Sequence, residues 1–276
     1  MKRSYLSARL AAIILPIALF VGCNSGNQPP ILEAGTTQTS TEKTMAAAGH
    51  TDSGSGTAEA TSLADQLNAR VKVSAAKFPA KVMESFAEGI QMVRDSGIEK
   101  SAKQVGDSAV DGELIGWDGK TIKLSNLWSE GPVVLMWYRG GWCPYCNIQL
   151  RAMQQSLDEI ENAGARLVVL TPEIPEKAKE TAEANDIKIV ALHDKNNQLA
   201  DKFGIMFDLP APIVPVYRDK LKLPSYNGND NLQLPLAATY VIDKTGAITY
   251  AFLDADYKKR AEPAEVVAAV KSAAGM

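Results

Sequence analysis

The segment Tyr138-Arg139-Gly140-Gly141-Trp142-Cys143-Pro144-Tyr145-Cys146 sets two thiols three residues apart. It follows Val133-Val134-Leu135-Met136-Trp137, an apolar run whose length and composition read as a buried strand. It precedes Leu150, Met153, Leu157 and Ile160, whose spacings of 3, 4 and 3 are helical. The cysteines therefore fall at a strand-to-helix turn, where unpaired backbone N–H groups and the helix dipole favour an anion. Thiols of Cys-x-x-Cys pairs in such places titrate at roughly 3.5–7.5, against about 8.5 for a free cysteine. A thiolate attacks disulfides or peroxides. The second cysteine, one turn on, can close a disulfide once the first has reacted. Pro144 has no backbone N–H and suits a first helical turn. Trp142 and Tyr145 complete the motif as supporting residues. Arg139 and Arg151 flank it, each able to assist a thiolate or to pair elsewhere on the surface.

Two structural cysteines would need neither a proline between them nor a Gly-Gly-Trp approach. Metal binding by the pair with His193 is the other alternative. Structural zinc usually takes four protein ligands, and no second cysteine pair exists on this chain. No metal is expected. No Gly-rich phosphate loop is present, so no organic cofactor is expected either.

The elements that must position the pair are legible around it. Residues 63–98 read as two helices broken near Phe78-Pro79, the second carrying Val82, Phe86, Ile90 and Val93 as a packing stripe. Gly119 marks a hairpin between strands 112–116 and 121–124. Strands are expected at 133–138, 166–171 and 188–192, with helices at 146–163, 175–185 and 197–203. Strands 239–243 and 247–253 and a closing helix 263–273 follow. Strand–helix alternation ending in a hairpin and helix implies an α/β fold, a mixed central sheet with helices on both faces. The Pro- and Asn-rich stretch 205–235 reads as a long insertion rather than a second domain.

The chain has 276 residues, 46% of them hydrophobic and 22% charged, which excludes collagen-like and wholly disordered classes. A mean hydropathy of -0.11 argues against a multi-span membrane protein. The net charge of -3 offers no basic field to nucleic acid. Cysteine is limited to Cys23, Cys143 and Cys146, so a disulfide-stapled scaffold is excluded. Lys2, Arg3 and Arg9 precede an apolar run from Leu10 to Val21, shorter than the about 20 residues a membrane span needs. It fits the apolar region of an export signal. Its end, Leu19-Phe20-Val21-Gly22-Cys23, resembles a bacterial lipobox, which implies a lipid on the Cys23 sulfur. Asn24 in place of aspartate then favours an outer-membrane anchor, with the protein facing the periplasm, or otherwise secreted. Loss of residues 1–22 removes those three positive charges and takes the net charge from -3 to -6. Residues 23–61, poor in apolar periodicity and including His50, read as a flexible tether. Residues 62–276 then form one domain, a helical extension at 62–105 and a redox core at 106–276.

The run from Trp137 to Cys146 resembles the peroxiredoxin-like branch of the alkyl hydroperoxide reductase/thiol-specific antioxidant family. Leu192-His193-Asp194, Asn227-Gly228, Tyr240-Val241-Ile242-Asp243, Asp254-Ala255-Asp256-Tyr257 and Arg260-Ala261-Glu262-Pro263 extend the resemblance over nearly all of 62–276. It implies a thioredoxin-like fold, hydroperoxide as substrate, a Cys143–Cys146 disulfide in the cycle and a thioredoxin-type electron donor. Two departures bear on mechanism. Typical peroxiredoxins carry a hydroxyl three residues before the attacking cysteine. Gly140 precedes Cys143 by three, and Cys143 so precedes Cys146. Ala237 stands about where thioredoxin-like proteins place a cis-proline and peroxiredoxins an arginine. Both departures favour the alternative of an envelope thiol-disulfide oxidoreductase acting on protein disulfides. A metal-handling or structural lipoprotein is the non-enzymatic alternative. Of the two thiols, Cys143 is expected to attack, as the more exposed at the helix start.

Overall fold

A computed structural model describes residues 62–276. The signal, Cys23, the tether and His50 lie outside the described residues. Two helices open the described residues, α1 (Leu63–Lys77) and α2 (Ala80–Asp95), followed by the single turn α3 (Ile98–Ser101). They part at Phe78-Pro79, as the sequence predicts, because proline cannot continue α1. Then come β1 (Glu113–Gly116), β2 (Thr121–Lys123), α4 (Leu124–Glu130), β3 (Val133–Trp137), α5 (Pro144–Gln155) and α6 (Leu157–Asn162). The chain continues through β4 (Arg166–Thr171), α7 (Pro175–Ala184), β5 (Ala191–His193), α8 (Gln198–Lys202) and β6 (Met206–Asp208). The last elements are α9 (Leu223–Asn227), β7 (Gln233–Pro235), β8 (Thr239–Ile242), β9 (Ile248–Phe252) and α10 (Pro263–Ala273).

Seven strands form one mixed sheet in the order β2-β1-β5-β4-β3-β8-β9. The central β3, β4 and β5 are parallel, and β8 joins β3 antiparallel. Alternation along β3 divides the core in two. Val134 and Met136 face α1, α5, α6, α7 and α10, whereas Val133, Leu135 and Trp137 face α4 and α8. All five β3 residues are buried, which explains the unbroken apolar run in the sequence.

Two expected boundaries shift. The helix expected over 146–163 starts at Pro144 and breaks at Ser156, where φ -97° and ψ 8° leave the helical range. Serine is a weak helix former that competes for local backbone bonds. The strand expected at 188–192 runs from Ala191 to His193, because pairing with β4 begins only at Ala191 and pairing with β1 at Leu192. The Lys188 N–H donates to Gln154 Oε1 instead. The insertion is ordered: β6 and β7 pair antiparallel, and Leu209, Ile213, Tyr217, Leu223 and Leu234 form a small core of their own. No cis peptide bond occurs among the described residues, Ala237 included.

Candidate active site

The turn from β3 into α5 is shaped by its glycines. Gly140 has φ +144°, and a Cβ there would lie 2.3 Å from Trp142 Nε1. A Cβ on Gly141 would lie 1.9 Å from Thr181 Oγ1. The Gly141 N–H donates to Glu173 Oε1 (2.8 Å), and the Tyr138 hydroxyl donates to Glu173 Oε2 (2.7 Å). A buried carboxylate thus fastens the loop that delivers Cys143. Cys143 is the N-cap of α5 and Pro144 its first residue, as the motif implies. The Cys143 carbonyl accepts from the Cys146 and Asn147 N–H groups (3.1 and 3.2 Å).

Both thiols are buried, Cys143 at 1% exposure and Cys146 at 0%, so surface exposure hardly separates them. α1 and α2 cover the turn, and nothing in the local sequence signals that cover. Access still distinguishes them: Cys143 lines a cavity of about 280 Å³ and Cys146 does not. Charge distinguishes them the other way. Burial pushes the Cys146 thiol up, but a hydrogen bond from Cys143 and the guanidinium groups of Arg260 and Arg139 overcome it. They hold Cys146 at about 5. Burial and the neighbouring Cys146 charge push Cys143 up. The two thiols are thus drawn in opposite directions, Cys146 towards the thiolate and Cys143 towards the thiol.

Two arginines serve the pair. Arg260 Nη2 lies 3.4 Å from Cys146 Sγ, while its Nη1 donates to the carbonyls of Tyr257 and Lys259. Arg139, 2% exposed, sits 4.4, 5.2 and 5.4 Å from the rings of Tyr257, Trp142 and Tyr217. Its Nη2 donates to the Tyr217 hydroxyl (2.5 Å). Both guanidinium groups come from parts of the chain other than Ala237, where typical peroxiredoxins place an arginine. Arg151 is exposed and donates to Asn185 Oδ1 instead.

Sequence reasoning gave no role to Arg260, Glu173, Tyr217 or Tyr257. Arg260 and Tyr257 lie in stretches that carried the family resemblance, which was the available signal. Tyr217 lay in an insertion without one. The α2 stripe is only partly a packing face: Ile90 and Val93 are buried, but Phe86 lines the cavity. Tyr145 packs edge-on to Tyr257 (5.6 Å) and donates to Ser74 Oγ (3.1 Å), which ties α5 to α1. Trp142 packs edge-on to Tyr217 at 5.3 Å. His193 ends β5, and no group of three or more potential metal-binding side chains occurs among the described residues.

A Cys-x-x-Cys pair at the start of a helix, fed by a central parallel strand of a mixed sheet, defines a thioredoxin-like redox fold. Within it, the chain belongs to the AhpC/TSA family, whose pattern matches residues 105–251. It is 26% identical over 102 residues to peroxiredoxin Bcp of Escherichia coli K12, covering 37% of this chain and 65% of that protein. It is 28% identical over 131 residues to the chloroplastic peroxiredoxin Q of Populus jackii, covering 48% of this chain and 51% of that one. The chain thus spans less than two thirds of either relative. Among solved structures, peroxidoxin BcpB of Mycobacterium tuberculosis superimposes with a TM-score of 0.47 at 22% identity, covering 61% of this chain and 97% of that one.

Proposed function

We propose that this protein is a thiol peroxidase that reduces hydroperoxides at the expense of its own dithiol. One observation carries the reading: Cys143 faces the cavity, while Cys146, one turn on and off the cavity, lies 3.4 Å from the Arg260 guanidinium. Cys146 takes the Cys143 proton as the Cys143 sulfur attacks the peroxide. The O–O bond breaks, and Cys146 passes that proton to the leaving alkoxide, releasing an alcohol. Cys143 is left as a sulfenic acid. The Cys146 thiolate then attacks the Cys143 sulfur and expels hydroxide, forming the Cys143–Cys146 disulfide. The hydroperoxide gains two electrons and the dithiol loses two. Arg260 and Arg139 stabilise the anionic sulfur throughout. Tyr217, whose hydroxyl oxygen accepts from Arg139, has its own proton free for a peroxide oxygen, in place of the hydroxyl absent at Gly140. A thioredoxin-type dithiol protein reduces the disulfide. In this reading the Cys23 anchor holds the enzyme in the cell envelope. Intact mass of the exported protein should carry an acyl increment on Cys23, and an unmodified Cys23 would remove the anchor.

The test is chemical. One equivalent of hydroperoxide should give one alcohol and a protein lighter by two hydrogens, joined Cys143 to Cys146. Cys146→Ser should accumulate sulfenic acid on Cys143, and Cys143→Ser should form no disulfide. Sulfenic acid on Cys146 in Cys143→Ser, at the wild-type rate, would reverse the order. Thiols inert to peroxide yet quick to exchange with disulfides would favour the oxidoreductase alternative.

A further inference from the structure

The cavity beside Cys143 is built for more than the peroxide bond. At about 280 Å³ it is several times the share of a single small molecule such as water, about 30 Å³. Phe78 and Phe86 supply an apolar wall, and the rings of Tyr217 and Tyr257 continue it. Arg70, Lys77, Arg139 and Lys258 also line it, and no Asp or Glu does, on a chain whose net charge is -3.

The donors are unspent. Arg139 Nε and Nη1, Arg70 Nε and Trp142 Nε1 are buried with no acceptor among the described residues. Buried donors left unpaired are costly, so a cavity that collects them suits a ligand bearing acceptors and negative charge. Lys258 is already paired with Asp256 (3.2 Å). Arg70 has no ion pair among the described residues. Arg139 is held among the rings of Trp142, Tyr217 and Tyr257, bonded to the Tyr217 hydroxyl and lining the cavity with Cys143, which gives it to the peroxide end. Arg70 belongs to α1, which lines the cavity together with Ser74 and Lys77.

We propose that this cavity selects organic hydroperoxides that carry a carboxylate, the apolar body against the aromatic wall and the carboxylate on Arg70. The inference deepens the peroxidase reading and rests on it for the identity of the reacting group. It makes the N-terminal helices part of the specificity of the site.

Steady-state rates with dithiothreitol as reductant should be compared for cumene hydroperoxide and its 4-carboxy derivative. The wild-type kcat/KM should favour the carboxylated substrate roughly tenfold, the scale of one charged hydrogen bond. Arg70→Gln should bring that ratio towards one. Lys72→Gln, on the same helix but exposed and outside the cavity, should leave the ratio as it is. A wild-type ratio of one or less would overturn the proposal while cumene hydroperoxide turnover upheld the peroxidase. Binding decides the case in which neither hydroperoxide reacts and the peroxidase reading falls. Calorimetry should then show 4-isopropylbenzoate binding the wild type more tightly than 4-isopropylbenzyl alcohol, with the difference lost in Arg70→Gln. Equal binding of the two, or none, would sink the anion site by itself.

Discussion

At the scale of single residues, the chemistry depends on a division of labour that the motif alone does not reveal. Its spelling announces a dithiol at a helix start. It does not say which sulfur is favoured as the anion, because one of the cations beside Cys146 is Arg260, 114 residues away. Replacing Arg260 with Met should raise the first apparent midpoint of the dithiol by a unit or more, followed by thiolate ultraviolet absorbance. An unmoved midpoint would mean that Arg260 does not hold the thiolate. Glu173 gives a second handle. Burial raises its carboxyl to about 7 from an ordinary 4.5, although the Gly141 N–H and Tyr138 hydroxyl pull it down. The folded state therefore keeps a proton that the unfolded chain has lost between those pH values. Stability falls as pH rises across that window, on the order of 3 kcal/mol from this group. Glu173→Gln should flatten that slope in denaturant titrations run from pH 4 to 8.

At the scale of elements, what the sequence shows clearly is what local physics decides. The break at Phe78-Pro79, the β3 run, α10 and the hairpin at Gly119 all follow from periodicity or from one residue's backbone preference. What shifts is what partners decide. β5 starts at Ala191 because its ladder with β4 starts there, and α5 gives way to α6 at a serine inside a helical pattern. The glycine pair before Cys143 is readable as an approach loop, yet its reason is tertiary. Gly141 lies against Thr181 on α7, so its missing Cβ lets two elements meet. Gly141→Ala should therefore cost about 1–3 kcal/mol in denaturant unfolding and slow oxidation of the dithiol. An alanine variant as stable and as fast as the wild type would show that the loop yields without cost.

At the scale of the whole molecule, the site is assembled from four separated stretches: α1 and α2, the Cys143 loop, the insertion around Tyr217, and the segment from Tyr257 to Arg260. The family pattern covers 105–251 and omits the first and the last of these. The Glu262 carboxylate accepts the N–H groups of Leu63 (3.3 Å) and Ala64 (2.6 Å), which pins the start of α1 beside α10 and makes that cover part of the fold. A dithiol so covered is suited to small oxidants. The most direct measurement follows from that burial. The fully reduced protein should be mixed rapidly with cumene hydroperoxide and, separately, with hydroxyethyl disulfide, and the loss of thiols timed. Oxidation by the hydroperoxide should be at least a hundredfold faster at equal concentration if the buried dithiol serves a peroxidase. Faster oxidation by the disulfide would contradict it.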